Sequence, residues 1–333
     1  MSVKVSDFMM NLVNELKSKK DITESSASSY IRSLYTLNGK KDFKTLTFLK
    51  DTEAVDKIME TYAVNTQKTM LAGVCSVLSL YKDKPTYKRV YKHYFDRMMN
   101  KQTTLSDEAK TGEKSTKQKE NWIDWNDVKE VQNQLCAEVY RFVTKKTIPA
   151  TDFATLLHYV ILGLYTEIQP RRNQDYLDMV IVKKWTEDMS KDKNYLDLNG
   201  GRTPIQFIFN KFKTAKTYGQ QKIEIPEDLR LILFTYVRFH PLGKSIKTEQ
   251  VPFLVFADGK PLKAVNAITR ILNKIFGKKV GSSMLRHSYL SSKYADVKDD
   301  MIDDAEKMGH SVSEQQGTYV KRNSVEVPTY EPK

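Results

Sequence analysis

Residues 168–175 read Ile-Gln-Pro-Arg-Arg-Asn-Gln-Asp and close an apolar, helix-periodic stretch that runs over about 150–166. Pro170 stops that helix, because it disfavours the helical conformation in the residue before it and has no N–H to donate. Two arginines are left at the helix end, with a carboxylate three residues beyond the second. Past this point the pattern changes. Strand-like runs follow at 179–182, 206–212 and 222–225, and the last two bracket Thr217-Tyr218-Gly219. Helical periodicity returns over 227–238 and 264–276, and an earlier helical pattern at 126–142 opens on the anchors Trp122 and Trp125. This half therefore reads as α+β with a small antiparallel sheet.

The first hundred residues read as helices only. Phe8, Leu12, Val13 and Leu16 keep a 3.6-residue period that ends near Lys17, Lys19 and Lys20. Thr23 or Ser25 caps a second helix carrying Tyr30, Leu34 and Leu37, stopped by Asn38-Gly39. A third pattern covers about 52–62, and a fourth, about 65–81, aligns Met70, Val74, Val77 and Leu78. A fifth starts after Pro85, where Tyr87, Tyr91, Tyr94 and Met98 form one stripe. Residues 101–121 hold almost no large apolar side chain, which predicts a flexible linker. The expected division is a helical domain at 1–100, the linker 101–121, an α+β domain at 122–325 and a tail at 326–333. The whole is mainly α.

The chain of 333 residues carries 54 Lys+Arg against 41 Asp+Glu, a formal net charge of +13. That excess points to a polyanionic partner, most often nucleic acid. It is shared: residues 1–120 hold 22 basic against 15 acidic side chains, and the remainder 32 against 26. No apolar run reaches the roughly 18 residues of a membrane span, and no secretory leader pattern opens the chain. Cys75 and Cys136 sit apart in helical patterns and read as buried free thiols. The expectation is a soluble intracellular protein of a reducing compartment, nuclear or virion-associated if its source is a virus of eukaryotes. Five histidines without HExxH spacing argue against a metal centre, and the lack of GxxxxGK[ST] argues against a nucleotide cofactor. No cofactor is expected.

Four separated pieces carry chemistry. They are Arg171-Arg172-Asn173-Gln174-Asp175, Phe212-Lys213-Thr214-Ala215-Lys216, Ser283-Met284-Leu285-Arg286-His287, and Met308-Gly309-His310 with Tyr319 nine residues on. Together they suit attack on a phosphodiester without a metal. Two guanidiniums clamp the non-bridging oxygens as their charge grows. A lysine on a hairpin protonates the leaving 5′ oxygen, and a tyrosine attacks and holds the phosphate. With a tyrosine pKa near 10, ionisation at pH 7 costs about 4 kcal/mol, which the cations must offset. Each residue alone has an ordinary reading. Arg172 would be a helix-end cation, Lys213 a surface lysine, His310 a loop residue and Tyr319 one of 18 tyrosines. The ordered set is harder to reach by chance.

The set resembles the catalytic domain of the tyrosine recombinase (integrase) family, of the kind found in mobile elements and large DNA viruses. Arg172 and Asp175 match its first motif. Lys213-Thr214 ahead of Lys222-Ile223-Glu224-Ile225-Pro226 matches its hairpin lysine, Arg286 its second arginine, and Met308-Gly309-His310 with Tyr319 its last. The resemblance covers about 122–325 and implies a core-binding role for the helical domain at 1–100. It implies a 3′-phosphotyrosyl intermediate formed by Tyr319, transition-state stabilisation by Arg172, Arg286 and His310, and Lys213 as general acid. It also implies double-stranded DNA as partner and a homotetramer on two duplexes, with no membrane association. Ser283 departs from the pattern, since the family usually has histidine there and a hydroxyl is a poor base. Arg171, Lys216, Lys88, Arg89, Lys92, Lys278 and Lys279 are expected to contact DNA phosphates. A type IB topoisomerase-like relaxing activity and a non-catalytic DNA-binding role on a degenerate recombinase fold are the alternatives.

Overall fold

Ser6 accepts a hydrogen bond from the Met9 N–H and opens α1 (Asp7–Lys20), whose last turn carries Lys17, Lys19 and Lys20 beside the exposed carbonyls. Thr23 does the same for α2 (Glu24–Leu37), and Gly39, at φ +66°, turns the chain away after it. Asp51 caps α3 (Thr52–Glu60), followed by α4 (Val64–Leu78) and α5 (Pro85–Lys110). The computed structural model describes residues 6–110, 112–264, 266–309 and 311–316. Its backbone contacts divide the chain into two units, Met1–Lys114 and Ser115–Lys333.

Unit 1 buries Leu12, Leu16, Leu34, Leu71, Val74 and Tyr94 in one core. Gly73 lets α4 pass so close to α2 that an added Cβ would lie 3.2 Å from the Tyr30 Cα. The tyrosine stripe is indeed a packed face: Tyr94 is fully buried and donates to the Leu49 carbonyl at 3.0 Å. Arg97 bonds both Asp56 and Glu60 and so ties α5 to α3.

Residues 101–121 differ from the sequence expectation. α5 continues to Lys110, and α6 (Thr116–Asn121) opens with a reciprocal capping box between Ser115 and Gln118. The composition that cannot bury a core still contains good helix formers, and a solvated helix needs only local bonds and a cap.

In unit 2, α7 (Trp125–Tyr140) packs on the apolar α8 (Ala150–Thr166). Then come α9 (Gln174–Leu177), β1 (Val180–Val182), β2 (Tyr195–Asp197), β3 (Gln206–Phe209), α10 (Ala215–Tyr218) and β4 (Gln221–Glu224). α11 (Glu227–Phe239), β5 (Val251–Pro252), α12 (Ala267–Phe276), α13 (Ser282–Met308) and α14 (Val312–Glu314) follow. The sheet order is β4-β3-β2-β1-β5. It is mixed rather than antiparallel, because β1 pairs parallel with β2 while the other pairs are antiparallel. The connection over 183–194 is about long enough for the crossover that parallel pairing requires. Ile181, Leu196, Phe207 and Phe209 face the helices, and Val182, Trp185, Tyr195 and Ile208 form a small second layer on the other face.

Cys75 is buried, but Cys136 is exposed, contrary to expectation. The inward positions of α7 are Val128, Gln132, Leu135 and Val139, and Cys136 falls one residue off that stripe. Among the described residues no helix is long and apolar enough to cross a membrane.

Gly73→Val should lower the urea stability of unit 1 by about 1–3 kcal/mol, because a branched side chain must displace the Tyr30 backbone. An unchanged unfolding midpoint would show that α2 and α4 separate freely.

Candidate active site

The site is built on the chain reversal after α8. The Glu167 N–H still reaches the Gly163 carbonyl, the helix then ends, and Pro170 sets the loop that delivers Arg171 and Arg172 to α9. Asn173 fastens this loop. It accepts from the Tyr165 hydroxyl at 2.7 Å and donates to Thr269 Oγ1 at 2.9 Å, linking α8 to α12. Beneath it Tyr176 stands edge-on to Tyr165, Phe207 and Phe209, with centroids 5.9–6.1 Å apart.

Arg171 is held at two nitrogens and over two rings. Its Nε donates to Asp175 Oδ2 at 3.0 Å and its Nη1 to Gln221 Oε1 at 2.8 Å. The guanidinium lies 3.8 Å over the Phe209 ring and 5.1 Å from that of Phe212. Its side chain is 16% exposed and that of Asp175 only 3%. Burial pushes the Asp175 carboxyl above the usual carboxylate range, while Arg171, Arg172 and Arg286 oppose that shift. Its second oxygen, Oδ1, is buried without a hydrogen-bond partner among the described residues.

Arg172 and Arg286 differ from Arg171. Both are half-buried, and neither forms an ion pair within the described residues. Arg286 sits in the second turn of α13 and donates its Nε to the Ser282 carbonyl at 3.3 Å. α13 is itself anchored, since Ser288 donates to the Ile123 carbonyl at 2.8 Å and Tyr289 packs against Trp125. Arg171, Arg172, Asp175 and Arg286 line one cleft of about 700 Å³ with Thr214 and Tyr218 of the β3–β4 connection and Gln221 of β4. Among the described residues the Arg172 and Arg286 guanidiniums have no ion-pair partner, and at one opening their planar donors suit the oxygens of a phosphate.

The remaining candidates fall in several places. Lys213 and Lys216 are exposed on the β3–β4 connection, which contains the turn α10 rather than a bare hairpin tip. Phe212 and Thr214, on either side of Lys213, line the cleft. Ser283 lies exposed in the first turn of α13, one turn before Arg286, and His287 is exposed after it. Lys278 and Lys279 are exposed ahead of α13; the Lys278 ammonium bonds the Trp122 carbonyl at 3.2 Å, and the Lys279 N–H bonds Asn121. Lys88, Arg89 and Lys92 share the solvent face of α5. His310 and Tyr319 lie outside the described residues.

Sequence reasoning missed Asn194. This buried amide donates to the carbonyls of Asp175 at 2.8 Å and Lys211 at 2.9 Å, and accepts from the N–H groups of Asn210 and Lys211 at 2.9 and 2.8 Å. It also missed Gln221 as the partner of Arg171. Neither stands in a motif, so no sequence signal marked them. Among the described residues no three His, Cys, Asp or Glu side chains gather as metal ligands. No protein-family model matches the chain, and a search of curated proteins finds no match.

A carboxyl whose pKa is raised by folding contributes most stability below its unfolded pKa, near 3.9, and loses it as pH rises through the higher folded value. Asp175→Asn should remove that slope. The difference in urea stability between wild type and variant should therefore shift against wild type from about pH 4 upward. A difference independent of pH would show that Arg171 fully cancels the burial of the charge.

Proposed function

We propose that the protein is a DNA-breaking-and-joining enzyme of the tyrosine recombinase type, acting on double-stranded DNA as a site-specific recombinase or integrase. The observation that carries this reading is the single cleft lined by Arg172 and Arg286, both without carboxylate partners among the described residues and both beside the β3–β4 connection that bears Lys213. The same connection brings Thr214 and Tyr218 to the rim. Unit 1 adds support, because its described residues are helical and contain no strand, as the recombinase reading expects and the topoisomerase IB alternative does not.

In the proposed reaction the two guanidiniums grip the non-bridging oxygens of the scissile phosphate. The Tyr319 hydroxyl attacks phosphorus, so a P–O bond to tyrosine forms as the P–O5′ bond breaks. The phenolic proton leaves to His310 or water, Ser283 being too weak a base, and the Lys213 ammonium donates a proton to the departing 5′ oxygen. The 3′-phosphotyrosyl ester keeps the bond energy, and a 5′-hydroxyl from a second duplex reverses the step. Four protomers on two duplexes would carry out the exchange. Lys88, Arg89 and Lys92 on α5, and Lys278 and Lys279 before α13, supply backbone phosphate contacts that fix register without reading sequence.

The direct test is covalent capture from a randomised pool of nicked duplexes in the presence of chelator, with products separated under denaturing conditions. Wild type should give a protein–DNA adduct and Tyr319→Phe none. Arg172→Ala and Arg286→Ala should each slow adduct formation by roughly 10²–10³-fold, the usual effect of removing one donor to a developing oxyanion. Tight binding in a native gel without any adduct would favour the non-catalytic alternative. Relaxation of plasmids bearing no selected site would favour the topoisomerase.

A second test concerns the grip. Replacing Lys88, Arg89 and Lys92 by alanine should flatten the dependence of log Kd on log salt by about 3, near 0.9 for each lost phosphate contact. An unchanged slope would remove this face of α5 from the interface.

A further inference from the structure

Arg171 stands next to a candidate catalytic arginine, yet its Nε, one of its Nη nitrogens and one face are already committed within the protein. One nitrogen serves Asp175, another serves Gln221, and the plane rests on Phe209 at 3.8 Å. These partners lie on different elements. Asp175 belongs to α9 on the arginine loop. Phe209 ends β3 and Phe212 lies on the leading leg of the β3–β4 connection, while Gln221 begins β4. Arg171 thus touches both legs of the connection at its base, and Phe212 is the residue immediately before Lys213.

We infer that Arg171 is a positioning residue: a latch that fixes the β3–β4 connection against the arginine loop and so sets where the Lys213 ammonium meets the leaving oxygen. The inference rests on the recombinase reading and deepens it. The two legs are joined to each other by the Gln220–Asn210 bond at 2.6 Å and the pairing of Gln221 with Phe209, while Asn194 ties Asn210 and Lys211 of the leading leg to the arginine loop and the Arg171–Gln221 bond ties the trailing end to it. A planar guanidinium reaches two acceptors at once and stacks on a ring, which no ammonium does. Arg171 therefore holds both legs where lysine would hold one.

The test uses the leaving group. In a duplex with sulfur in place of the bridging 5′ oxygen, the departing group is a thiolate, stable near neutral pH because a thiol pKa lies near 8.5, and it needs no proton. Loss of the general acid is therefore repaired on this substrate, whereas loss of a phosphate grip is not. Two variants act on the latch: Arg171→Lys keeps the charge beside Asp175, and Gln221→Met removes only the β4 end and alters no charge. If Arg171→Lys fails to fold, as judged by circular dichroism, Gln221→Met carries the test.

On an ordinary duplex recovered by the covalent capture, both variants should form adduct roughly 100-fold more slowly, the scale of a misplacement near 1 Å. Their binding in a native gel should be unchanged. On the sulfur-bridged duplex both should return to the wild-type rate, as should Lys213→Ala. Equal slowing on the two substrates would overturn the latch and return Arg171 to a phosphate or purely structural role, and so would wild-type rates on both. Rescue of the latch variants without rescue of Lys213→Ala would overturn Lys213 as the group positioned. No adduct from wild type on either substrate would sink the recombinase reading, and the inference with it.

Discussion

Asp175 takes a carboxylate into a place where its side chain is 3% exposed, and a charge there must be matched or neutralised. Arg171 supplies the match. It is the adjacent arginine, Arg172, that benefits. If the chain had one arginine in this loop, that side chain would be drawn to Asp175 and its donors would be spent. With two, one guanidinium neutralises the acid and the other is left at the cleft, its field still felt by Asp175 but with no carboxylate in ion-pair reach among the described residues. The doubling of arginine at 171–172 thus leaves one guanidinium paired with Asp175 and the other at the cleft.

The same division runs through the other elements. Asn194 and Asn173 are amides with both ends engaged, one tying the arginine loop to the base of β3–β4 and the other tying α8 to α12. Neutral groups suit this task, since they fix backbone without adding charge that would compete for an anion. Tyr165 and Tyr176 are buried behind the arginine loop, and burial pushes both phenols well above their ordinary pKa, so they remain neutral donors. The cleft therefore presents Arg171, Arg172 and Arg286 together with one acid, Asp175, whose Oδ2 is paired with Arg171.

Much of the helical architecture was legible because it depends on local signals. Thr23 caps α2, Asn38-Gly39 ends it, and the apolar α8 ends at Thr166, four residues before Pro170 and where periodicity alone would put the boundary. The strands were only partly visible. β2 is three residues, Tyr-Leu-Asp, and β5 is two, too short to show alternation, so the parallel β1–β2 pairing went unseen. Residues 101–121 misled for a different reason: low apolar content rules out a core but does not rule out a solvated, capped helix. At the site, charged residues announced themselves by type and spacing, whereas Gln221 and Asn194 act only through the tertiary contacts that give them partners.

Motif-bearing residues and supporting residues also differ in what each tolerates. Arg172 and Arg286 need to be at an opening and free, and many backbones meet that demand. Arg171 must meet an acid, an amide and a ring at once, within 2.8–3.8 Å on separate elements. Small displacements of β3–β4 break at least one of those contacts, while the two free arginines would still line a cleft. Geometric demand in this site is therefore concentrated in Arg171, which meets three groups of the protein at once. A guanidinium meets it because its plane and its edge are used for different partners, the ring on one and the acceptors on the other.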